Sequence, residues 1–285
     1  DPLERLPHFP HRDLDTAMHE EAEKWRKLYC GKIGAEFMHM PYPERCDWVA
    51  ERMEQFSPRI DQRAVLERIA SAEKFESFIH TKYVGSKWFS LEGLAALIPL
   101  LDSILSQAAE QGFEVAVIGM AHRGRLNTLL HITGADAAGI FAGFEDVDPE
   151  SVIGGGDTKY HKGATGVYKT PSGREIRVHL ASNPSHLEAV NPVVMGRVKA
   201  RQDRMGDEKG TRALAILVHG DAAFAGQGVA AEALNYATIR GFSIGGTVHI
   251  IANNLIGYTA GPEALHSSRF AADIAKRLPI PIFHV

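Results

Sequence analysis

Short apolar runs alternating with helix-length segments constrain this chain more than any other feature. Val115-Ala116-Val117-Ile118, Ile176 to Leu180, Ala213 to Val218 and Val248 to Ala252 each read as a buried strand. Gly124 to Ile132, Leu187 to Met205, Val229 to Arg240 and Ser268 to Lys276 read as the helices that follow them. Strands at this spacing need right-handed helical crossovers, so the expected architecture is α/β, a doubly wound, mostly parallel sheet. A helical extension precedes it. Its cleanest period runs from Asp61 to Tyr83, with Val65, Ile69, Ala72, Phe75 and Ile79 on one stripe. Pro43 suits the first turn of a helix over Glu44 to Phe56, and Leu91 to about Ala109 forms another, ended by Gly112. Ile153 to Pro171 reads as a long functional loop. The expected division is a helical region over 1–90 and an α/β domain over 91–285. That domain is expected to be truncated, because Pro279 to Val285 reads as a strand running to the last residue.

Charge and cysteine content exclude several classes of function. With 31 basic against 35 acidic residues the formal charge is −4, which gives no global argument for nucleic acid or a membrane surface. The most apolar stretch, Leu91 to Leu105, is broken by Glu92, Gly93, Pro99 and Asp102 and is no membrane span. Cys30 and Cys46 are too few for a disulfide framework. They are expected to be free thiols in a reducing compartment.

The unusual residues gather just past the strands. His219-Gly220-Asp221-Ala222-Ala223-Phe224-Ala225-Gly226-Gln227-Gly228 follows one apolar run and Asn253-Asn254-Leu255-Ile256-Gly257 follows another. Asp221 and Asn254 are thereby delivered to one edge of a parallel sheet, where ligands of open α/β sheets bind. Both side chains are hard oxygen ligands of the kind magnesium or calcium takes. The Gly-Gln-Gly allows close backbone approach, and a following helix offers free N–H groups to an anion. Together they describe a seat for a metal-bridged diphosphate. For Asp221 alone, a helix N-cap is the plainer alternative. Arg123 and Arg125 flank Gly124 at a helix start that favours anions. Two solvated surface arginines are the plainer alternative there.

The Asp221 and Asn254 blocks resemble the diphosphate-binding signature of thiamine-diphosphate enzymes, with Ala222 where the third residue is usually Gly. That departure, with Gly119-Met120-Ala121-His122-Arg123-Gly124-Arg125, Gly156-Asp157-Thr158-Lys159-Tyr160-His161 and Asn183-Pro184-Ser185-His186-Leu187-Glu188-Ala189-Val190, is similar to the first component of 2-oxoglutarate dehydrogenase complexes. The resemblance runs from about Ile33 to Val285. It implies the thiamine-diphosphate-binding fold and a reaction of the tricarboxylic acid cycle, in the cytoplasm if the source is bacterial and the mitochondrial matrix if it is eukaryotic. In the reaction so implied, the thiazolium carbon would add to the 2-ketone of 2-oxoglutarate, carbon dioxide would leave, and the remaining fragment would pass to a lipoyl-bearing succinyltransferase. It also implies that Asp221, Asn254 and the carbonyl of Ile256 bind Mg2+, and that Arg123, Ser185, Leu187, Ala222 and Ala223 contact the cofactor. His122 and His161 are the expected catalytic pair for the substrate, with Lys159 and Tyr160 weaker candidates. His186, Glu188 and His219 support the turns or take part. A pyrimidine-binding module is expected across a homodimer interface, which leaves this chain half of an active site. Decarboxylation of another 2-oxo acid such as 2-oxoadipate, a metal-dependent phosphohydrolase and a non-catalytic assembly module stand as alternatives.

Overall fold

The computed structural model describes residues 16–55, 60–145, 160–183 and 186–285. Helices α1 (Thr16–Tyr29), α2 (Pro43–Glu54), α3 (Gln62–Lys82) and α4 (Leu97–Glu110) come first, with a short strand β1 (Gly34–Glu36) after α1. Then follow β2 (Val115–Met120), α5 (Arg125–His131), α6 (Ala137–Glu145), β3 (Ala164–Lys169), β4 (Glu175–Leu180) and α7 (Val190–Met205). The remainder is β5 (Ala213–Gly220), α8 (Asp221–Gly226), α9 (Gly228–Asn235), β6 (Thr247–Ala252), two 3-10 segments and β7 (Ile282–His284). Among the described residues no helix is long and apolar enough to cross a membrane.

The chain divides into two compact units, Asp1–Pro58 with Lys276–Val285, and Arg59–Ala275. The division precedes α3 rather than following it, so it differs from the expected boundary at residue 90. In the smaller unit β1 and β7 pair antiparallel, and Phe37, Met40 and Val49 form a small core. Glu36 joins Lys276 at 2.5 Å and His284 at 2.9 Å. Cys30 and Cys46 are free thiols.

The larger unit holds a five-stranded sheet in the order β3-β4-β2-β5-β6, in which only the β3–β4 pairing is antiparallel. Alternation along the central strands builds two cores. Ala116, Ile118 and Met120 of β2 and Ile216 and Val218 of β5 face Ile79 of α3 and Ile98, Leu101 and Leu105 of α4. Val115, Val117, Ala215 and Leu217 face Val190, Val194 and Val198 of α7 and Ala233 of α9. Each fully buried Leu, Ile or Val contributes roughly 1.5–3 kcal/mol relative to exposure, which makes this double covering the main source of stability. Asp61 caps α3 by accepting the N–H of Ala64, so the best periodic segment in the sequence also has the clearest boundary.

Three expectations change. The stretch from Leu91 does not start a helix, because Glu92 (φ 47) and Gly93 (φ 84) are left-handed and make a turn ahead of α4. The supposed loop up to Pro171 contains β3, where Thr165 and Val167 face outward while Tyr168 is half-buried, and a turn at Gly173 (φ 87) returns the chain along β4. In place of the helix expected over Ser268 to Lys276 there is a 3-10 segment over Ala271–Arg277.

The topology locates a ligand edge. The chain leaves β2 toward the β4 side and leaves β5 toward β6, so the switch point lies between the carboxyl ends of β2 and β5. Met120 pairs with Val218, Ile118 with Leu180 and Gly220 with Ala252, which sets all four carboxyl ends along one rim. Because β3 runs antiparallel, with Ala164 beside Leu180, the residues just before it reach the same rim. His161 therefore joins a cluster that parallel strands alone would not have given it.

Candidate functional site

Asp221 opens α8 immediately past β5 and is 1% exposed. Its Oδ2 is buried without a hydrogen-bond partner among the described residues. A buried carboxylate oxygen left in that state is costly and is an atom that a cation would satisfy. Two residues past its strand, Asn254 places Oδ1 3.3 Å from the N–H of Ile256, and its Nδ2 is likewise buried and unpartnered. An amide oxygen has two lone pairs, so one stays available beside the Ile256 bond. The rim thus presents an acceptor short of a cation and a donor short of an anion.

Backbone strain and small side chains shape this loop. Leu255, between Asn254 and Ile256, has φ 58. That conformation costs an ordinary side chain roughly 1–2 kcal/mol. A Cβ on Gly257 would lie 3.3 Å from that of Ala222 and would collide with Leu265. Small residues at 222 and 257 are what let the loop close over the first turn of α8. Ala222 is half-buried, Ala223 buried and Ile256 exposed.

His122 and His161 come together around two aromatic rings. His122, past the end of β2, lies 4.0 Å from the Phe89 ring, and Phe89 meets Tyr160 edge-on at 5.1 Å. Tyr160 in turn meets His161 edge-on at 4.8 Å. Burial first, then the charges of Arg123, Lys87 and His161, lower the pKa of His122 to about 4. His122 is accordingly a neutral hydrogen-bonding group in a positive field, suited to an anionic ligand. Arg123 donates to the Ser90 carbonyl at 3.2 Å and lies 3.6 Å from Glu92. A separate cleft of about 540 Å³, lined by residues including Glu76, His80, Trp88 and Glu92, contains none of the expected site residues.

The depressed pKa of His122 has a consequence for stability. Between about pH 6.5 and about pH 4 the unfolded chain takes up a proton that the folded chain refuses. The contribution is therefore complete above that window and is lost as pH falls through it. Thermal midpoints across the window should decline less steeply for His122→Asn than for the parent, and parallel curves would refute the assignment.

Arg125 departs from both sequence readings, being neither an anion ligand nor a surface residue. It is 0% exposed and donates to the carbonyls of Met120 at 3.0 Å, Lys162 at 2.8 Å and Ala181. Burial lowers its pKa to about 10, so it stays charged at neutral pH. Gly124, with φ 69, turns the chain so that Arg123 and Arg125 point to these different environments.

The turn after β4 is tied to the same rim. Asn183 donates from Nδ2 to the Met120 carbonyl at 2.6 Å and from its backbone N–H to the His161 carbonyl at 3.3 Å. Ser185 and Lys159, expected site residues, lie outside the described residues. Leu187 is exposed, whereas Glu188 is buried at φ 67. Its Oε2 lies 2.6 Å from His219 Nδ1 and accepts from Asn191 at 2.7 Å. His219 Nε2 lies 3.0 Å from Nδ1 of His249. Neither Phe89 nor His249 stands among the expected site residues. The one available signal for His249 was a titratable residue in the middle of the apolar run Thr247–Ala252.

Over residues 67–285 the chain matches a family described as the dehydrogenase E1 component. It is 47% identical over 268 residues to a Mycolicibacterium vanbaalenii protein named multifunctional 2-oxoglutarate metabolism enzyme, covering 91% of this chain and 22% of that protein. It is 46% identical over 274 residues to a Corynebacterium glutamicum protein named 2-oxoglutarate dehydrogenase E1/E2 component, covering 94% and 22%. A Mycobacterium sp. protein that shares the first name is 48% identical over 268 residues, covering 91% and 21%. The chain spans about a fifth of the length of these relatives.

Proposed function

The chain belongs to the dehydrogenase E1 component family, and from that premise we propose that it supplies the diphosphate- and metal-binding half of an active site for oxidative decarboxylation of 2-oxoglutarate. The observation that carries this reading is the buried Asp221 oxygen, without a partner among the described residues, one residue past β5 at the switch point of the sheet. The names of the similar proteins supply the substrate. Among the described residues no group of three or more His, Cys, Asp or Glu is placed to hold a metal. A cation on Asp221, the Asn254 amide oxygen and the Ile256 carbonyl would therefore need oxygens from its own ligand. Magnesium with a diphosphate fits that requirement, because magnesium usually retains water and phosphate ligands.

Thiamine diphosphate, when bound, supplies the carbanion that attacks the 2-ketone and the ring that takes up the electrons released with carbon dioxide. The chain's own residues bind and orient. Asp221, Asn254 and Ile256 would hold the metal, and Arg123, Ser185, Leu187, Ala222 and Ala223 would contact the cofactor. His122 and His161, with Lys87 adding positive field, hydrogen-bond the substrate carboxylates. Transfer of the four-carbon acyl group to a lipoyl-bearing acyltransferase, a homodimer contributing the pyrimidine-binding module, and a bacterial cytoplasmic location complete the proposal. The E1/E2 name of one similar protein supports the acyltransferase link.

The test uses the full-length protein with thiamine diphosphate, magnesium and a chemical electron acceptor, following carbon dioxide release from 2-oxoglutarate, 2-oxoadipate and pyruvate. 2-Oxoglutarate should give the highest kcat/KM. His122→Ala and His161→Ala should each lower that value about 100-fold, the lower end for a positioned proton-transferring or hydrogen-bonding group. Cofactor affinity should stay within a few-fold of the parent. Equal losses of cofactor binding and turnover would contradict the substrate role. Preference for another 2-oxo acid would replace the assigned substrate.

A further inference from the structure

We propose that Glu188, His219 and His249 are positioning residues, a buried hydrogen-bonded chain that sets the mutual register of the three turns carrying the diphosphate and metal contacts. The inference rests on the thiamine diphosphate reading of the site for its functional meaning. Its geometric basis is independent of that reading.

The three side chains come from three different segments of the rim. Glu188 belongs to the turn after β4 and adjoins Leu187, His219 lies two residues before Asp221, and His249 lies on β6 five residues before Asn254. In the sheet Leu217 pairs with His249, so His249 and His219 share a face and meet diagonally across β5 and β6. Phe224 of α8 packs 4.6 Å from the His219 ring and 6.1 Å from that of His249, which brings the helix carrying Asp221 into the same cluster.

His219 is the middle member, with Nδ1 2.6 Å from Oε2 of Glu188 and Nε2 3.0 Å from Nδ1 of His249, so both of its ring nitrogens are engaged. Burial first, then His219, lowers the pKa of His249 to about 3, so the outer imidazole is neutral at neutral pH.

Stability alone does not account for such an arrangement. Glu188 is held at φ 67, a strained conformation for a residue with a Cβ, and its carboxylate is buried. Apolar side chains of similar volume often stabilise a core as well as a buried ionic network does. What hydrogen bonds add is fixed length and direction between turns that are remote in sequence. Partners that orient a metal site from behind typically change metal affinity 10–100-fold when removed.

Two substitutions at His249 in the full-length protein separate hydrogen bonding from packing. His249→Phe keeps a ring and loses the hydrogen bond. His249→Asn loses the ring and keeps a hydrogen-bonding amide near the position of Nδ1. Thiamine diphosphate affinity at saturating magnesium is read by intrinsic fluorescence, and amide hydrogen exchange without cofactor is followed over residues 186–191 and 253–257. The expected result is about tenfold weaker cofactor binding for His249→Phe, with faster exchange at 253–257, and near-parent behaviour for His249→Asn. Parent-like affinity and exchange in His249→Phe, or the reverse order of the two variants, would overturn the proposal. Should the parent itself not bind thiamine diphosphate, the functional reading fails, and exchange alone decides the positioning role. Faster exchange in His249→Phe but not in His249→Asn would then sustain it, and any other pattern would reject it.

Discussion

Asp221→Ala in the full-length protein is expected to abolish magnesium-dependent binding of thiamine diphosphate without destabilising the cofactor-free protein. The second half of that expectation is the more diagnostic. Most buried polar side chains contribute to the fold through their bonds, so their removal costs stability. Asp221 is 1% exposed and has an oxygen with no partner among the described residues. Removing it relieves a desolvated atom, and the thermal midpoint without cofactor should equal or exceed that of the parent. The parent should gain stability on adding cofactor, by about 2.7 kcal/mol at a hundred times Kd, and the variant should gain none. Asn254→Ala should show the same pattern more mildly, because the lost ligand is neutral. Calorimetric titration and thermal unfolding, each with and without magnesium, make the measurement. Parent-like affinity in both variants would remove the metal assignment, and a large loss of cofactor-free stability in Asp221→Ala would show that the carboxylate serves the fold.

Arg125→Leu should behave in the opposite way, with a large loss of stability regardless of cofactor. The guanidinium satisfies the carbonyls of Met120, Lys162 and Ala181, and so joins the ends of β2 and β4 to the segment entering β3. Leucine fills part of the volume and leaves the carbonyls of Lys162 and Ala181 without this donor, while that of Met120 keeps Asn183. At roughly 1–3 kcal/mol for each unsatisfied buried group, the expected loss is on the order of 3 kcal/mol or more. Arg125→Lys keeps the charge but not the planar fork, and should fall between the two. Arg123→Ala, one glycine away, should leave the unfolding midpoint nearly unchanged and weaken cofactor binding. Similar stabilities for Arg125→Leu and Arg123→Ala would mean that burial does not separate their roles.

The strands and the rim they create were legible in the sequence because those signals are local. An apolar run such as Ala213 to Val218 reads as buried whatever surrounds it, and a polar block after it must lie at a strand end. The same logic exposed the periodic stripe of α3, where the Asp61 cap and the spacing agree. It failed at Leu91, where composition favoured a helix and two positive φ values made a turn, and at β3, whose alternation was hidden within a glycine-rich stretch.

Sequence by itself determined which residues stand at the carboxyl ends of β2, β4, β5 and β6, because strand ends follow from the pattern of a few neighbouring side chains. Tertiary structure alone decided what each of those residues does there. Arg123 and Arg125 are the same amino acid two positions apart, and only the left-handed Gly124 turns one toward Glu92 and buries the other against three carbonyls. His161 reaches the rim because β3 happens to be antiparallel, and His122 stays neutral because burial first, then the charges of Arg123, Lys87 and His161, disfavour its protonated form. Glu188, His219 and His249 meet only once β5 and β6 are in register. Burial, pairing and proton affinity depend on neighbours tens of residues away along the chain, so local pattern carries no record of them.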